Sequence, residues 1–254
     1  MRPAAPSVCH HAHRFGAWGR VLELKETNAR RTDMAGTSSG EYIQIIAMLV
    51  DKLEPADDRD GIAAVAAASA ASYATNVGNP GWKRWFEAIT AKSVRRADGK
   101  SFAKLAATFP GATLRVVGEA KALAFTPMPN DKLPKLLARL QVSGTTLPRL
   151  QSVPTSDAGH VEVWLNADLE MTTGKAAAQA AHAFFEWTRL GMLPAAEFPR
   201  VRFRAGQDLE QVRDQVGAVA IVDAGRTEIA PGSLTSVALA AGSTPDADRA
   251  KDEQ

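Results

Sequence analysis

The sequence predicts an α/β protein made of two tandem α/β domains. Two observations predict this class. Short apolar strand patterns alternate with alanine-rich helical patterns along the chain. The same order of patterns occurs twice, once in each half of the 254 residues. A chain of this length suits two domains of about 100 residues each with tails.

The first half begins with a strand pattern and then alternates helical and extended patterns. Its predicted segments, in order, are the strand 42–49, the helix 61–69, the basic segment 94–99, the helix 102–108 and the strands 114–118 and 121–125. The second half repeats this order with a strand at 161–165, a helix at 174–187, an arginine-rich strand at 200–204, a helix at 209–215 and strands at 216–222 and 234–239. The domain boundaries follow at 41–128 and 160–241.

The helix predicted at 174–187 carries a polar stripe on an alanine background. Alanine is the best helix former, and Lys175, Gln179 and His182 fall within roughly 60° of arc on one face. Lys175 lies in the first turn, where free backbone N–H groups favour an anion. A reaction centre and a solvated polar face are both compatible with this stripe, and His182 is compatible with catalysis or with packing.

The second polar segment follows a continuous apolar run at 216–222, which is typical of a strand buried on both faces. The run ends in Asp223, and ligands of open α/β sheets collect at the carboxyl ends of strands. Gly225 permits a close approach, Arg226 supplies a fixed charge and Thr227 supplies a hydroxyl. The alternative interpretation makes Asp-Ala-Gly an ordinary turn.

Together, the two segments resemble the type 2 peptidyl-tRNA hydrolases. That family has a Gly-Lys-x-Ala-Ala-Gln-x-x-His-Ala helix and an Asp-Ala-Gly-Arg-Thr-Gln-Ile-Ala-Pro-Gly loop. Residues 174–183 and 223–232 match these motifs in the same order. The resemblance covers about residues 160–241, and it implies three-layer-like domains, each with a mixed four-stranded sheet and flanking helices.

The resemblance also implies an activity, the hydrolysis of the ester that joins a peptide to tRNA. The implied substrate is peptidyl-tRNA, with no cofactor, no metal and a cytoplasmic location. The family's functional residues fall on Lys175, Gln179, His182, Asp223 and Thr227. The chain departs from the family pattern at two positions: Glu228 replaces a glutamine, and Thr173 replaces a frequent basic residue.

A mechanism follows as a hypothesis from these residues. Asp223 polarises an attacking water, and Lys175 keeps Asp223 ionised by proximity. Lys175 or a backbone N–H at the helix start stabilises the oxyanion. Thr227 and Gln179 orient the water and the substrate carbonyl. Neither motif contains a serine or cysteine nucleophile, which favours direct attack by water.

A further set of residues is predicted to bind the substrate or its tRNA. Arg200, Arg202 and Arg204 alternate along one strand and project on one face. They contact tRNA phosphates or protect an exposed strand edge. The residues assigned to substrate or tRNA binding are Arg226, Gly174, Gly225, Arg202 and Arg204.

The first half is interpreted as a degenerate copy of the second half; the alternative is that any two alanine-rich βαββ-type segments look alike. Every candidate catalytic group is replaced there: Ile62 stands for Lys175, Ala66 for Gln179, Ser69 for His182, Val116 for Asp223 and Ala120 for Thr227. Enzymes of the resembled family are often dimers, so the resemblance implies that the two domains form an intramolecular pseudo-dimer. The four tryptophans Trp82, Trp85, Trp164 and Trp187 are assigned to core or inter-domain packing.

The remaining segments are assigned from composition. Residues 1–40 and 242–254 are predicted to be disordered tails, Met34 is an alternative start, and residues 129–159 form a linker with a short helix near 133–140. One cysteine excludes an internal disulfide framework, and a net charge of +2 does not itself indicate a nucleic-acid binder. No apolar run is long enough to predict a membrane span.

Two other functions stay open on the sequence. One is a non-catalytic RNA-binding or scaffold protein that keeps the fold of the hydrolases. The other is a hydrolase of different aminoacyl or peptidyl esters.

Overall fold

The computed structural model describes residues 20–23, 41–191, 197–223 and 229–243. The strands in these ranges are β1 Arg20–Glu23, β2 Tyr42–Leu49, β3 Ala91–Ala97, β4 Thr113–Val117, β5 Ala120–Ala124, β6 Met128–Pro129, β7 Val161–Asn166, β8 Arg200–Arg204, β9 Val219–Val222 and β10 Leu234–Ala240. The helices are α1 Asp58–Thr75, α2 Pro80–Glu87, α3 Gly99–Thr108, α4 Lys135–Ala138, α5 Thr173–Arg189 and α6 Gly206–Arg213.

The two halves form two mixed sheets with the same strand order. The first sheet has the order β3-β2-β5-β4, with β6 beside β2, and the second contains the order β8-β7-β10-β9. In each sheet the first two strands are parallel, and the third is antiparallel to both of its neighbours. The predicted class of two α/β domains is therefore confirmed, and the shared strand order supports the interpretation as a duplication.

The pairing register aligns the halves residue by residue. Ile46 of β2 pairs with Val94 and Ala124. Its counterpart in β7, Val163, pairs in parallel with Val201 and antiparallel with Ala238, as Ile46 does with Val94 and Ala124. All six side chains are buried in one core.

The register also locates the counterpart of Asp223. Ala124 pairs with Thr113 in the first sheet, and Ala238 pairs with Val219 in the second. The residue four positions after Thr113 is Val117, and the residue four positions after Val219 is Asp223. The predicted counterpart Val116 is thus one residue too early, because sequence alignment alone did not account for strand pairing. The replacing residue is a valine in either alignment.

The two inner helices join the halves into one structure. α1 and α5 pack against each other, and their alanines belong to a core that also contains residues of β2, β3, β5, β7, β8, β9 and β10. Small side chains let the two helix backbones approach closely. α3 covers the outer face of the first sheet and α6 that of the second. This arrangement supports the prediction of an intramolecular pseudo-dimer.

An aromatic cluster extends the contact between the halves. Trp82 and Trp85 of α2 pack against Phe185 of α5, with Tyr42 and Tyr73 at its margin. The rings of Trp82 and Phe185 are stacked with centroids 5.6 Å apart. All four tryptophans assigned to packing are buried, at 1 to 5% exposure. Their assignment to core or inter-domain packing is confirmed.

The segment 129–159 does not only connect the halves but packs on the N-terminal ends of both inner helices. Asp60 of α1 accepts hydrogen bonds from the backbone N–H groups of Thr155 and Ser156, at 3.1 and 2.7 Å. Thr173 of α5 accepts one from Leu147 N–H at 2.8 Å. The predicted helix near 133–140 is shorter than expected and comprises α4 alone.

The tails differ in part from the prediction. Arg20–Glu23 form β1, which pairs in parallel with β9, so the expectation of a structureless segment 1–40 is wrong for these four residues. β1 supplies hydrogen-bond partners to what is otherwise an edge strand. Residues 1–19, 24–40 and 244–254 lie outside the described residues. Among the described helices, none combines the length and apolar character that crossing a membrane requires.

Candidate functional site

The acid predicted to be catalytic lies at the carboxyl end of β9. Asp223 is only 3% exposed. Its backbone N–H donates to Ser233 O, and its carbonyl oxygen accepts from Gly232 N–H, which returns the chain into β10. Because β7 and β9 are both antiparallel to β10, their carboxyl ends lie at the same edge of the sheet. α5 begins after β7, so Asp223 and the start of α5 share this edge.

A buried hydrogen-bond chain joins the two sequence motifs at this edge. Gln179 of α5 donates through Nε2 to Asp223 Oδ2 at 3.3 Å. The Gln179 Oε1 atom accepts from the Thr235 hydroxyl at 2.9 Å. Ser236 Oγ donates to the backbone carbonyl of Gln179 at 3.0 Å. The amide of Gln179 is therefore oriented with its NH₂ group towards the Asp223 carboxylate. This hydrogen bond joins the two motifs directly.

Lys175 lies one helical turn before Gln179 on the same face of α5. Four residues correspond to about 6 Å along a helix axis. The stripe thus continues from Gln179 towards the start of the helix, and Lys175 is half-buried rather than freely solvated. This burial argues against the alternative interpretation of the stripe as a solvated polar face, since Gln179 and His182 are also buried.

The start of α5 is covered by the 129–159 segment, which changes two of the predicted roles. Gly174 N–H donates to the carbonyl oxygen of Thr145 at 3.0 Å, and Lys175 N–H donates to Thr172 O. A Cβ atom on Gly174 would lie 3.1 Å from Thr145 Cβ. Gly174 therefore permits the approach of Thr145 and is not placed to bind substrate. Its N–H is also engaged, so it is not a candidate oxyanion donor, whereas the Lys175 side chain stays one.

His182 is buried on α5 and interacts electrostatically with Lys92 of the first half. Among the described residues, no hydrogen bond joins His182 to Gln179 or Asp223. Burial, together with the nearby cation Lys92, holds the pKa of His182 well below its usual range. A buried neutral imidazole next to an inter-domain lysine matches the packing alternative. Burial and the nearby Lys92 therefore support a packing role for His182, which lies three residues after Gln179 on α5.

Lys92 of β3 is the cation that lies between the halves. Its Nζ atom donates to Gln44 Oε1 at 2.8 Å and to Ser69 Oγ at 2.9 Å. It also lies 3.9 Å from the ring centroid of Phe185. Burial lowers the pKa of Lys92 well below its ordinary value, while Glu186 opposes that shift. Ser69, the counterpart of His182, thus accepts a hydrogen bond from the Lys92 amino group, whose charge also acts on His182.

The arginines predicted to contact tRNA share one face of β8, but each has a contact within the chain. Arg200 lies 3.5 Å from the carboxylate of Glu162. Arg202 pairs with Asp157 at 2.6 Å. The Arg204 guanidinium lies 4.3 Å over the ring of Trp164, and the residue is 7% exposed. A tRNA phosphate would have to displace these contacts, so the geometry favours structural roles for Arg202 and Arg204.

Part of the second motif lies outside the described residues. Gly225, Arg226 and Thr227 belong to the segment 224–228, and so does Glu228. Cys9 and its neighbouring histidines also lie outside. In the part of the chain that the structure describes, no three histidine, cysteine or acidic side chains form a group that could hold a metal ion.

Sequence reasoning missed Thr235 and Ser236, which it assigned only to a strand. Both are fully buried. The register between β9 and β10 shifts between Leu234 and Ser236, which leaves Thr235 as an extra residue beside the end of β9. Two adjacent hydroxyl residues in an otherwise apolar strand were the available signal, since buried hydroxyl groups need hydrogen-bond partners.

Comparison with known proteins gives no match. No family model matches the chain, and no curated protein and no solved structure is significantly similar to it. The resemblance to type 2 peptidyl-tRNA hydrolases therefore rests on the two motifs and on the geometry that joins them.

Proposed function

We propose that the protein hydrolyses the ester bond between peptide and tRNA in peptidyl-tRNA and releases free tRNA. The observation that carries this proposal is the buried hydrogen bond between Gln179 and Asp223. It links the motif helix to the motif loop at the carboxyl edge of the sheet, where both motifs of the hydrolase family would have to meet. Because peptidyl-tRNA arises in translation, the proposed location is the cytoplasm.

The proposed chemistry is direct attack by water. Asp223 accepts a proton from the water as its oxygen attacks the ester carbonyl carbon. Gln179 fixes the orientation of the Asp223 carboxylate, and Thr235 fixes the orientation of Gln179. Lys175 stabilises the negative oxygen of the tetrahedral intermediate. The bond to the terminal ribose oxygen then breaks, that oxygen takes the proton, and the peptide leaves as a carboxylic acid.

The test compares Asp223→Asn with a matched surface change, Asp214→Asn. Asp214 is exposed, on the end of α6. Asparagine keeps the shape of the side chain and can still accept from Gln179, but it cannot take a proton from water. General base catalysis contributes about 10²- to 10⁴-fold, so turnover of diacetyl-lysyl-tRNA should fall by at least about 100-fold in Asp223→Asn and stay unchanged in Asp214→Asn.

The assay also separates the alternatives. Equal turnover by the wild-type protein and Asp223→Asn would remove Asp223 from the mechanism. An intact wild-type chain that binds tRNA without releasing peptide would favour the RNA-binding or scaffold function. Release of amino acids from aminoacyl-tRNA at a similar rate would instead indicate a less selective ester hydrolase.

A further inference from the structure

The cations of the second half are engaged within the chain. Apart from Lys175 at the reaction centre, each described lysine or arginine after residue 145 contacts an acid or an aromatic ring. These residues are Arg149, Arg189, Arg200, Arg202, Arg204 and Arg213. A protein gains affinity for RNA by neutralising phosphates with lysine and arginine. The described cations that could meet tRNA phosphates without breaking such contacts lie in the first half and in the segment 129–159.

The outer side of the first half carries such cations on two neighbouring helices. α3 and α4 both pack on the face of the first sheet that is turned away from α1, around Phe102, Leu105 and Leu137. The exposed cations on and beside these helices form what we call the α3–α4 surface: Lys100, Lys104, Lys132, Lys135 and Arg139. Among the described residues, none of the five lies within ion-pair distance of a carboxylate.

Nearby acids do not balance the charge of the α3–α4 surface. Residues 98–108 and 130–140 contain five cations and only two acids, Asp98 and Asp131, which leaves an excess of three positive charges. Asp98 accepts a hydrogen bond from Ser101 N–H at 2.7 Å and thereby caps α3. The cations on the exposed side of the two helices therefore dominate the potential there.

The equivalent helix of the second half has a different surface. By strand register the first residue of α3 corresponds to that of α6, so Lys100 and Lys104 correspond to Gln207 and Gln211. α6 also carries two acids at positions where α3 has none. Since α6 covers its sheet with glutamines in these places, covering the sheet does not explain the two lysines.

The start of α3 lies on the same side of the molecule as the Asp223 centre. Leu147 joins the starts of the two inner helices: its N–H donates to Thr173 Oγ1, and its Cδ1 atom would lie 2.5 Å from a Cβ on Gly61. Because α1 follows β2 and α5 follows β7, the carboxyl ends of both strands lie on this side. β3 is parallel to β2, so α3 begins there as well.

We propose that the α3–α4 surface binds the phosphate backbone of the tRNA part of peptidyl-tRNA. The second half then holds the ester, and the first half, which lacks the residues of the reaction centre, holds the RNA. This inference rests on the proposed function, which makes tRNA a part of the substrate. Contacts of lysine and arginine with phosphates position a nucleic acid without reading its sequence, so the surface should accept tRNAs of different sequence.

The decisive change is the α3 double variant, Lys100→Gln with Lys104→Gln. Both side chains are exposed, and glutamine has nearly the helix propensity of lysine, so the fold should be retained. The matched control is Lys83→Gln with Arg84→Gln on α2. It removes the same charge from two exposed residues of the same half, but beyond the other end of α1.

The first measurement is the binding of fluorescently labelled deacylated tRNA to the full chain between about 50 and 200 mM salt. Each phosphate contact adds about 0.9 to the steepness of log affinity against log salt, which is about fivefold in affinity at about 0.15 M salt. The α3 double variant should reduce this steepness by about two and the affinity about 25-fold, whereas the control should change neither. Lys135→Gln with Arg139→Gln should act as the α3 double variant does. Circular dichroism checks that each variant is folded.

Peptide release from diacetyl-lysyl-tRNA separates this inference from the proposed function. We expect the α3 double variant to raise KM and to leave kcat unchanged, because its lysines bind the RNA and do not touch the ester. Peptide release with a KM that this variant does not change would overturn the inference and leave the hydrolase. Binding of tRNA that needs Lys100 and Lys104, without any peptide release, would overturn the hydrolase and leave the RNA-binding surface.

Two further binding results would overturn the inference. An equal loss of tRNA binding in the control would show an effect of net charge and not of the α3–α4 surface. Binding to vesicles of phosphatidylserine and phosphatidylcholine that needs the two lysines, together with unchanged tRNA binding, would assign the surface to a membrane instead.

Discussion

His182 gives a test that separates a packing role from a catalytic one. In the folded chain its pKa is held well below the ordinary value by burial and by Lys92. In the unfolded chain the imidazole is solvated and takes up a proton near pH 6.5. Below that pH the unfolded state binds one more proton than the folded state, so the free energy of unfolding falls as pH falls.

The size of this pH effect follows from a difference of one bound proton between the unfolded and folded states. Linkage gives about 1.4 kcal/mol per pH unit for each proton of difference, or about 2 kcal/mol between pH 6.5 and pH 5. His182→Gln removes the titrating group and keeps a helix-compatible polar side chain. Its free energy of unfolding should therefore depend less on pH over this interval than that of the wild-type protein, by up to about 2 kcal/mol.

The assay is urea unfolding of the two proteins at several pH values from 5 to 7.5. His160→Gln is the matched control, because His160 is exposed and the same side chain is introduced. The control should keep the wild-type dependence on pH. An unchanged pH dependence in His182→Gln would refute the reasoning, and a loss of peptide release with an unchanged stability profile would return His182 to the catalytic group.

Three further predictions concern a buried charge and close packing. In the wild-type protein the lowered pKa of Lys92 makes the unfolded state bind more protons between that pKa and 10.5, so the free energy of unfolding should rise with pH over this interval. Lys92→Met should remove this rise, which urea unfolding from pH 7 to 10 measures. Gly159→Ala should lower the free energy of unfolding by about 1–3 kcal/mol, because a Cβ would lie 2.6 Å from the backbone nitrogen of Arg200. The control Gly78→Ala has open space around it and should change this free energy by less than about 0.5 kcal/mol. A similar loss in both variants would contradict the prediction. Ala180→Leu should cost about 1–3 kcal/mol in urea unfolding because the residue is fully buried between packed elements, and an unchanged midpoint would show that this packing is loose.

The strands and inner helices could be predicted because their signals are local. Alternating or continuous apolar runs mark β2, β7 and β9, and alanine-rich stretches mark α1 and α5. α2 was missed although its signal was also local. Asn79 caps it through its side chain, and Pro80 occupies its first turn.

The expectation that the motifs containing Gln179 and Asp223 lie close together agrees with the hydrogen bond between these residues. Both motifs lie at ends of elements that share one edge of the sheet. The roles of Gly174 and Arg202 could not be predicted in the same way. Their partners, Thr145 and Asp157, lie in a proline- and threonine-rich segment with no periodic pattern. These contacts depend on how segment 129–159 crosses the starts of the two inner helices. That path cannot be read from any short stretch of the sequence.

The same segment explains why the two halves differ in their chemistry. At the start of α1 it lies against Asp60, and a Cβ on Gly118, just after β4, would be 2.7 Å from both Asp60 Oδ2 and Thr155 Oγ1. This position follows Val117, the counterpart of Asp223. The edge that holds Asp223 in the second half is therefore filled by the chain itself in the first. In the first half this edge therefore anchors the segment that joins the halves, and Val117 stands where the second half has Asp223.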